Sequence, residues 1–148
     1  RNFIIETMDG KKLAWANSNW THLAISTGIP ARLTPADTDN YVLGEKMEMD
    51  YAPRKIKLPE DMMPQESFVV QKHHLDTNHH VNNCQYICMA EDFLPEDFKV
   101  YQMRAEYKMQ AKLGDIICPK AKTEAGKVVV SLDDENGKPY AVVEFTEK

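Results

Sequence analysis

No run of apolar residues in this chain is long enough to cross a bilayer, and no stretch reads as a signal peptide; a membrane-spanning helix needs about 20 such residues. Nor is there a surplus of positive charge. The chain has 18 Lys and Arg against 23 Asp and Glu, a net charge of −5. That balance argues against nucleic acid as the main partner, because a phosphate backbone demands basic excess. A local basic run, Pro53-Arg54-Lys55-Ile56-Lys57, stands out against it. Cysteines are too few, and odd in number at three, for a disulfide framework. Cys84 and Cys88 fall four apart on an expected helix, and Cys118 falls in an expected strand. Free, mostly buried thiols in a reducing compartment, hence a cytoplasmic location, are the expectation. A Gly-x-Ser-x-Gly elbow is missing, so no serine nucleophile is indicated. Cys84 is expected on the inner rhythm of its helix with Ile87 and Cys88, away from any nucleophilic role. An initiating Met is missing too: Arg1 opens directly into a strand pattern, and the first part of the protein is expected to be absent.

What is present is enough for one ordinary domain, or a small domain plus a fragment, in 148 residues. Phe3 to Thr7 alternates apolar and polar residues, Asp9-Gly10 signals a hairpin turn, and Leu13 to Ser26 reads as a second strand. Such a hairpin is not stable alone and must join a larger sheet. From Thr27 to Gln65 Pro and Gly residues, among them Gly28, Pro30, Pro35, Pro53, Pro59 and Pro64, break the pattern, which reads as a connection. Thr34-Pro35 there predicts a short helix start. Beyond Glu66 the expected order is a strand over 67–74, a helix over 81–93, and strands over 98–111, 115–123, 127–134 and 140–146. Leu113-Gly114-Asp115, Ala125-Gly126 and Asn136-Gly137 supply the turns. One helix with a run of hairpin-connected strands implies an α+β unit, with the helix packed on one face of an antiparallel sheet.

The chemistry concentrates between Leu75 and Tyr86. Read as an extended segment, it places Asp76, Asn78 and His80 on one face, with Thr77 and His79 on the other. A helix begins just beyond, and its free N–H groups attract developing negative charge. An anion, an amide and an imidazole beside a helix start suit water attack on a carbonyl. Asn78 or the helix amides would stabilise an oxyanion, His80 would move protons, and Asp76 would orient its neighbours. Asn78 and Asn82 also have a plain capping role open to them. His73, His74, His79 and His80 raise a metal site, but adjacent histidines on a strand point apart, so at most two would converge and no metal is expected. His22 reads as structural.

The run Asp76-Thr77-Asn78-His79-His80-Val81-Asn82-Asn83-Cys84-Gln85-Tyr86 resembles the signature of the acyl-acyl-carrier-protein thioesterases, a bacterial and plant family of tandem hotdog folds. Ala105-Glu106-Tyr107-Lys108-Met109-Gln110-Ala111 with Gly114-Asp115 resembles the strand after the helix in that family. Leu13 to Trp20 with Ala31-Arg32 resembles the end of its first repeat. The resemblance implies a complete second hotdog, an antiparallel sheet wrapped around a long helix, over 66–148. Residues 1–32 would be the last strands of a truncated first hotdog, and 33–65 a linker. It implies hydrolysis of fatty acyl-carrier-protein thioesters, without a cofactor, and an acyl-carrier protein as partner. The alternatives are an acyl-coenzyme A thioesterase, or an acyl- or metal-binding module without activity. Residue by residue, it implies catalytic roles for Asp76, Asn78 and His80, with either Asp76 or His80 as the base, and contact with substrate for Asn82, Asn83 and Tyr86. Where the family places a carboxylate after the helix this chain has Gln110, and where the plant enzymes carry a Cys it has Ala111. Gln110 cannot act as a base but can hold a water or donate to an oxyanion. The truncated first unit implies exposed apolar surface, and with it self-association or a missing N-terminal half.

Overall fold

The computed structural model describes residues 1–148 and divides into two compact units, Arg1–Ala52 and Pro53–Lys148. The first contains a hairpin of β1 (Asn2–Glu6) and β2 (Lys12–Asn17), paired antiparallel from Asn2↔Asn17 to Glu6↔Lys12. The second strand is shorter than the expected 13–26. A tight turn in which Gly28 N–H donates to Ala24 C=O takes over at residues 24–29. Phe3, Ile4, Ile5, Leu13 and Trp15 are all exposed on this ribbon. The helix expected at Thr34 is α1 (Pro35–Thr38), where Asp37 accepts the Thr34 N–H and hydroxyl.

The second unit is a six-stranded antiparallel sheet with one helix. Its strands are β3 (Met63–Pro64), β4 (Phe68–Val69), β5 (Gln102–Tyr107), β6 (Ile116–Glu124), β7 (Lys127–Asp133) and β8 (Pro139–Thr146). They run in the order β3-β6-β7-β8-β5, with β4 also on β6. The helix is α2 (Asn83–Glu91). β3 and β4 lie along the same strand, β6, as two pieces of one interrupted edge. The expected strand over 67–74 therefore ends at Val69. Residues Lys72–His74 form a single 3₁₀ turn in which His74 Nδ1 accepts the Gln71 N–H.

α2 buries Tyr86, Met89 and Ala90 against β7 and β8. Val128, Val130 and Leu132 meet it from β7, and Ala141, Val143 and Phe145 from β8. That inner stripe corrects the expectation for the thiols. Cys84 and Cys88 are exposed and Cys118 is half-buried, because a stripe at i, i+3 and i+4 through Tyr86 leaves positions 84 and 88 on the outer side.

The other face of the sheet is also covered. Residues 53–62, expected within the linker, belong to the second unit and cross this face from β5 to β6. The Arg104 guanidinium donates to the carbonyls of Pro53 and Lys55 and pairs with Glu144. Glu106 accepts the Ile56 N–H at 3.2 Å. Ile56 then packs on Val129 and Val142 beside Met62, and Asp61 meets Lys122 at 2.5 Å. Just beyond, Met63 and Pro64 join β6 as the edge strand. This strap explains why Val128-Val129-Val130 and Ala141-Val142-Val143 are buried without alternation: a sheet covered on both faces has no polar side.

Candidate active site

Residues 75–81 do not run on as one extended strand. Leu75 and Val81 face each other as an antiparallel bridge, and between them the chain turns back on itself. The His79 N–H donates to Asp76 C=O at 3.1 Å, and the Asp76 N–H to His80 C=O at 2.9 Å. Asp76 Oδ1 accepts the N–H groups of Asn78 at 2.8 Å and His80 at 3.3 Å. His79 has φ +59. This is a three-residue loop closed by a left-handed residue, a common hairpin form. The alternation that placed Asp76, Asn78 and His80 on one strand face is thus corrected. Asp76 and His80 instead flank the mouth of a turn, and Asn78 stands at its tip.

The β7–β8 connection repeats the device. Asp134 Oδ1 accepts the N–H groups of Asn136 at 2.9 Å and Lys138 at 2.7 Å, and Gly137 has φ +78. Asp134-Glu135-Asn136-Gly137-Lys138 and Asp76-Thr77-Asn78-His79-His80 are one pattern, with His79 in the glycine place. The hydrogen bonds from Asn78 first, then from His80, hold the Asp76 carboxyl below its ordinary range. At neutral pH Asp76 is an occupied anion and a weak proton acceptor.

The turn is tied to the segment after β5. The Val81 N–H donates to Ala111 C=O at 2.9 Å, and His80 pairs with Lys112. Gln110, one residue before this pairing, is exposed, while Ala111 is fully buried. On the helix side Asn82 is the N-cap: its side chain accepts the Cys84 N–H at 2.9 Å, and its N–H donates to His74 C=O. The Asn83 N–H, at the first helical position, has no intrahelical partner. The Asn83 carbonyl accepts the Tyr107 hydroxyl at 3.3 Å. Tyr86 is only 2% exposed, and its hydroxyl accepts the Ala111 N–H at 2.9 Å. Burial pushes that hydroxyl above the ordinary tyrosine range, so it stays protonated.

The candidate site is thus a surface turn leading into a helix start, with His80 half-buried, Asn78 and Gln110 exposed, and Gln110 next in sequence to the Ala111 that pairs with Val81. An open groove of about 540 Å³ lies instead at the far end of α2, lined by Met63, Phe93, Leu94 and Ala121 among others. The rings of His73 and His74 stack edge to face at 4.1 Å. The part that the sequence reading missed is the support: the Tyr86–Ala111 bond, and Asp115, which accepts the Lys112 N–H at 2.9 Å. The Gly114-Asp115 pair was its one visible signal.

Residues 57–145 match the model of the acyl-ACP thioesterase C-terminal domain. Among solved structures, an acyl-ACP thioesterase of Bacteroides thetaiotaomicron superposes with a TM-score of 0.85 at 21% identity, over 98% of this chain and 60% of that one. A protein of Lactobacillus plantarum described as an oleoyl thioesterase gives 0.71 at 21%, over 97% and 59%. The 12:0-ACP thioesterase of Umbellularia californica gives 0.54 at 19%, over 64% and 39%. The fold of the second unit is that of these proteins, an α+β hotdog. The chain spans about 60% of the length of the first of them. No curated protein matches it.

Proposed function

The chain belongs to the acyl-ACP thioesterase family through its C-terminal domain, and from that premise we propose that it hydrolyses the thioester joining a fatty acyl chain to an acyl-carrier protein. The observation that carries the mechanism is the occupation of Asp76. A carboxylate already accepting two backbone N–H groups, and held ionised by them, shapes the turn and leaves His80 as the proton acceptor. His80 takes a proton from water as the water oxygen attacks the thioester carbon. The Asn78 and Gln110 amides and the Asn83 N–H donate to the carbonyl oxygen as it becomes an oxyanion. The tetrahedral intermediate then collapses, the C–S bond breaks, and the proton on His80 passes to the departing thiolate. A free fatty acid and the carrier thiol result, with no covalent enzyme intermediate. Asn82 serves here as cap, and we assign substrate contact at the helix start to Asn83.

Residues 1–32 are proposed to be the closing strands of a preceding hotdog. The acyl-carrier partner is supported by charge. Arg54, Lys55 and Lys57 are exposed while Ile56 is buried between them. Glu106, which holds the Ile56 N–H, adjoins Tyr107, which reaches Asn83. The basic run therefore lies over the end of β5, on the sheet face opposite α2, and offers an acidic carrier a surface of complementary charge. The test is thiol release from one acyl chain presented on carrier protein and on coenzyme A, with Lys55 and Lys57 intact or reversed to Glu. The carrier-protein substrate should be preferred, and reversal should raise its KM alone. Equal effects on both substrates would remove the docking role, and preference for coenzyme A would favour an acyl-coenzyme A thioesterase.

A further inference from the structure

The segment carrying Gln110 has no strand partner of its own beyond Tyr107, where β5 ends. It is held by separate anchors instead. The N–H groups of Lys108 and Met109 both donate to Tyr140 C=O, at 2.8 and 3.2 Å. The Ala111 C=O accepts the Val81 N–H, and the Lys112 N–H donates to the Asp115 carboxylate. One anchor crosses the core: the Ala111 N–H donates to the hydroxyl of Tyr86, on the inner face of α2. Gln110 lies between the Tyr140 and Tyr86 anchors, and its own side chain is exposed. A glutamine that only donates and accepts hydrogen bonds works by where it stands, so whatever fixes Ala111 fixes its use.

We propose that Tyr86 is a positioning residue: by accepting the Ala111 N–H, its hydroxyl holds residues 110–112 against the 80–81 side of the turn and sets Gln110 relative to His80. The same bond couples the helix start to the post-β5 segment, since Tyr86 lies one turn beyond Asn82. This extends the hydrolytic reading above and rests on it for its kinetic arm alone.

The test is Tyr86→Phe in the full chain, which keeps the ring and removes only the acceptor. Amide exchange at Ala111 should accelerate at least about tenfold, while Val130 in the sheet centre stays protected. Turnover should fall about tenfold with KM nearly unchanged, as expected for a misplaced group. In a Gln110→Ala background, Tyr86→Phe should add nothing further to the loss of turnover. Unchanged exchange at Ala111, or losses that multiply in the double variant, would overturn the proposal. If Tyr86→Phe fails to fold, Asp115→Ala, which frees the Lys112 N–H, is read in the same way at the Lys112 amide and in the same background. A wild-type chain without hydrolysis would count against the thioesterase reading, while exchange at Ala111 would still decide whether Tyr86 holds the segment.

Discussion

At the scale of single residues, the signature run proves to be a turn before it is a catalyst. His79 occupies a place that the β7–β8 loop gives to Gly137, and a left-handed conformation costs an L-residue about 1–2 kcal/mol. His79→Gly should raise stability by about 0.5–1 kcal/mol in denaturant titration, with hydrolysis unchanged, since His79 has no role in the chemistry proposed. Asp76 is different, because its charge is part of the turn. Its pKa is lowered in the folded chain, so its contribution to stability is complete above the unfolded aspartate value of about 3.9. That contribution is lost as pH falls through the lower, folded value. The advantage of the wild-type chain over Asp76→Asn should therefore be present at pH 7 and vanish in acid, measured as unfolding midpoints across pH. An advantage that persists at pH 2 would contradict the assignment. This geometry was half legible in the sequence. Asn136-Gly137 announced its turn through glycine, whereas the same Asp-x-Asn pattern at Asp76 ended in His79 and read as extended.

Among the elements, the hairpins of the second unit could be read because each strand ends at a turn residue and the inner positions of β7 and β8 fall on one helix. The strap could not. A segment crossing a sheet face has no period of its own, and Ile56 between Arg54, Lys55 and Lys57 reads as a solvated basic run. The missed signal lay elsewhere, in three consecutive valines on β7 that only a sheet covered on both faces would bury. The strap is held by backbone carbonyls on Arg104 and by burial of Ile56, which is 7% exposed. Ile56→Ala should cost about 2–4 kcal/mol of stability, transfer and cavity together, by chemical denaturation of the chain. A loss below about 0.5 kcal/mol would mean that residues 53–62 do not lie on the sheet. The helix length was over-read at both ends, because Asn82 caps it and Asp92 and Phe93 belong to the turn that follows.

For the whole molecule, the family and the hotdog architecture were legible from a single dense signature, and the supports of the site were not. Tyr86, Ala111, Asp115 and Tyr140 touch across 54 positions of sequence only once the sheet has formed. The first unit's ribbon exposes Phe3, Ile4, Ile5, Leu13 and Trp15 on a two-stranded hairpin, which is marginal by itself. Sedimentation of this chain should accordingly show association that grows with concentration, and Trp15→Lys should weaken it; a strictly monomeric wild-type chain would contradict that expectation. No helix is long and apolar enough to cross a membrane. The central claim is that His80 moves the proton in thioester hydrolysis. It is tested most directly by the rate of thiol release from an acyl-carrier substrate with wild-type and His80→Ala chains matched for folding by circular dichroism. A loss of about a hundredfold or more in turnover is expected, and turnover within a few-fold of wild type would contradict it.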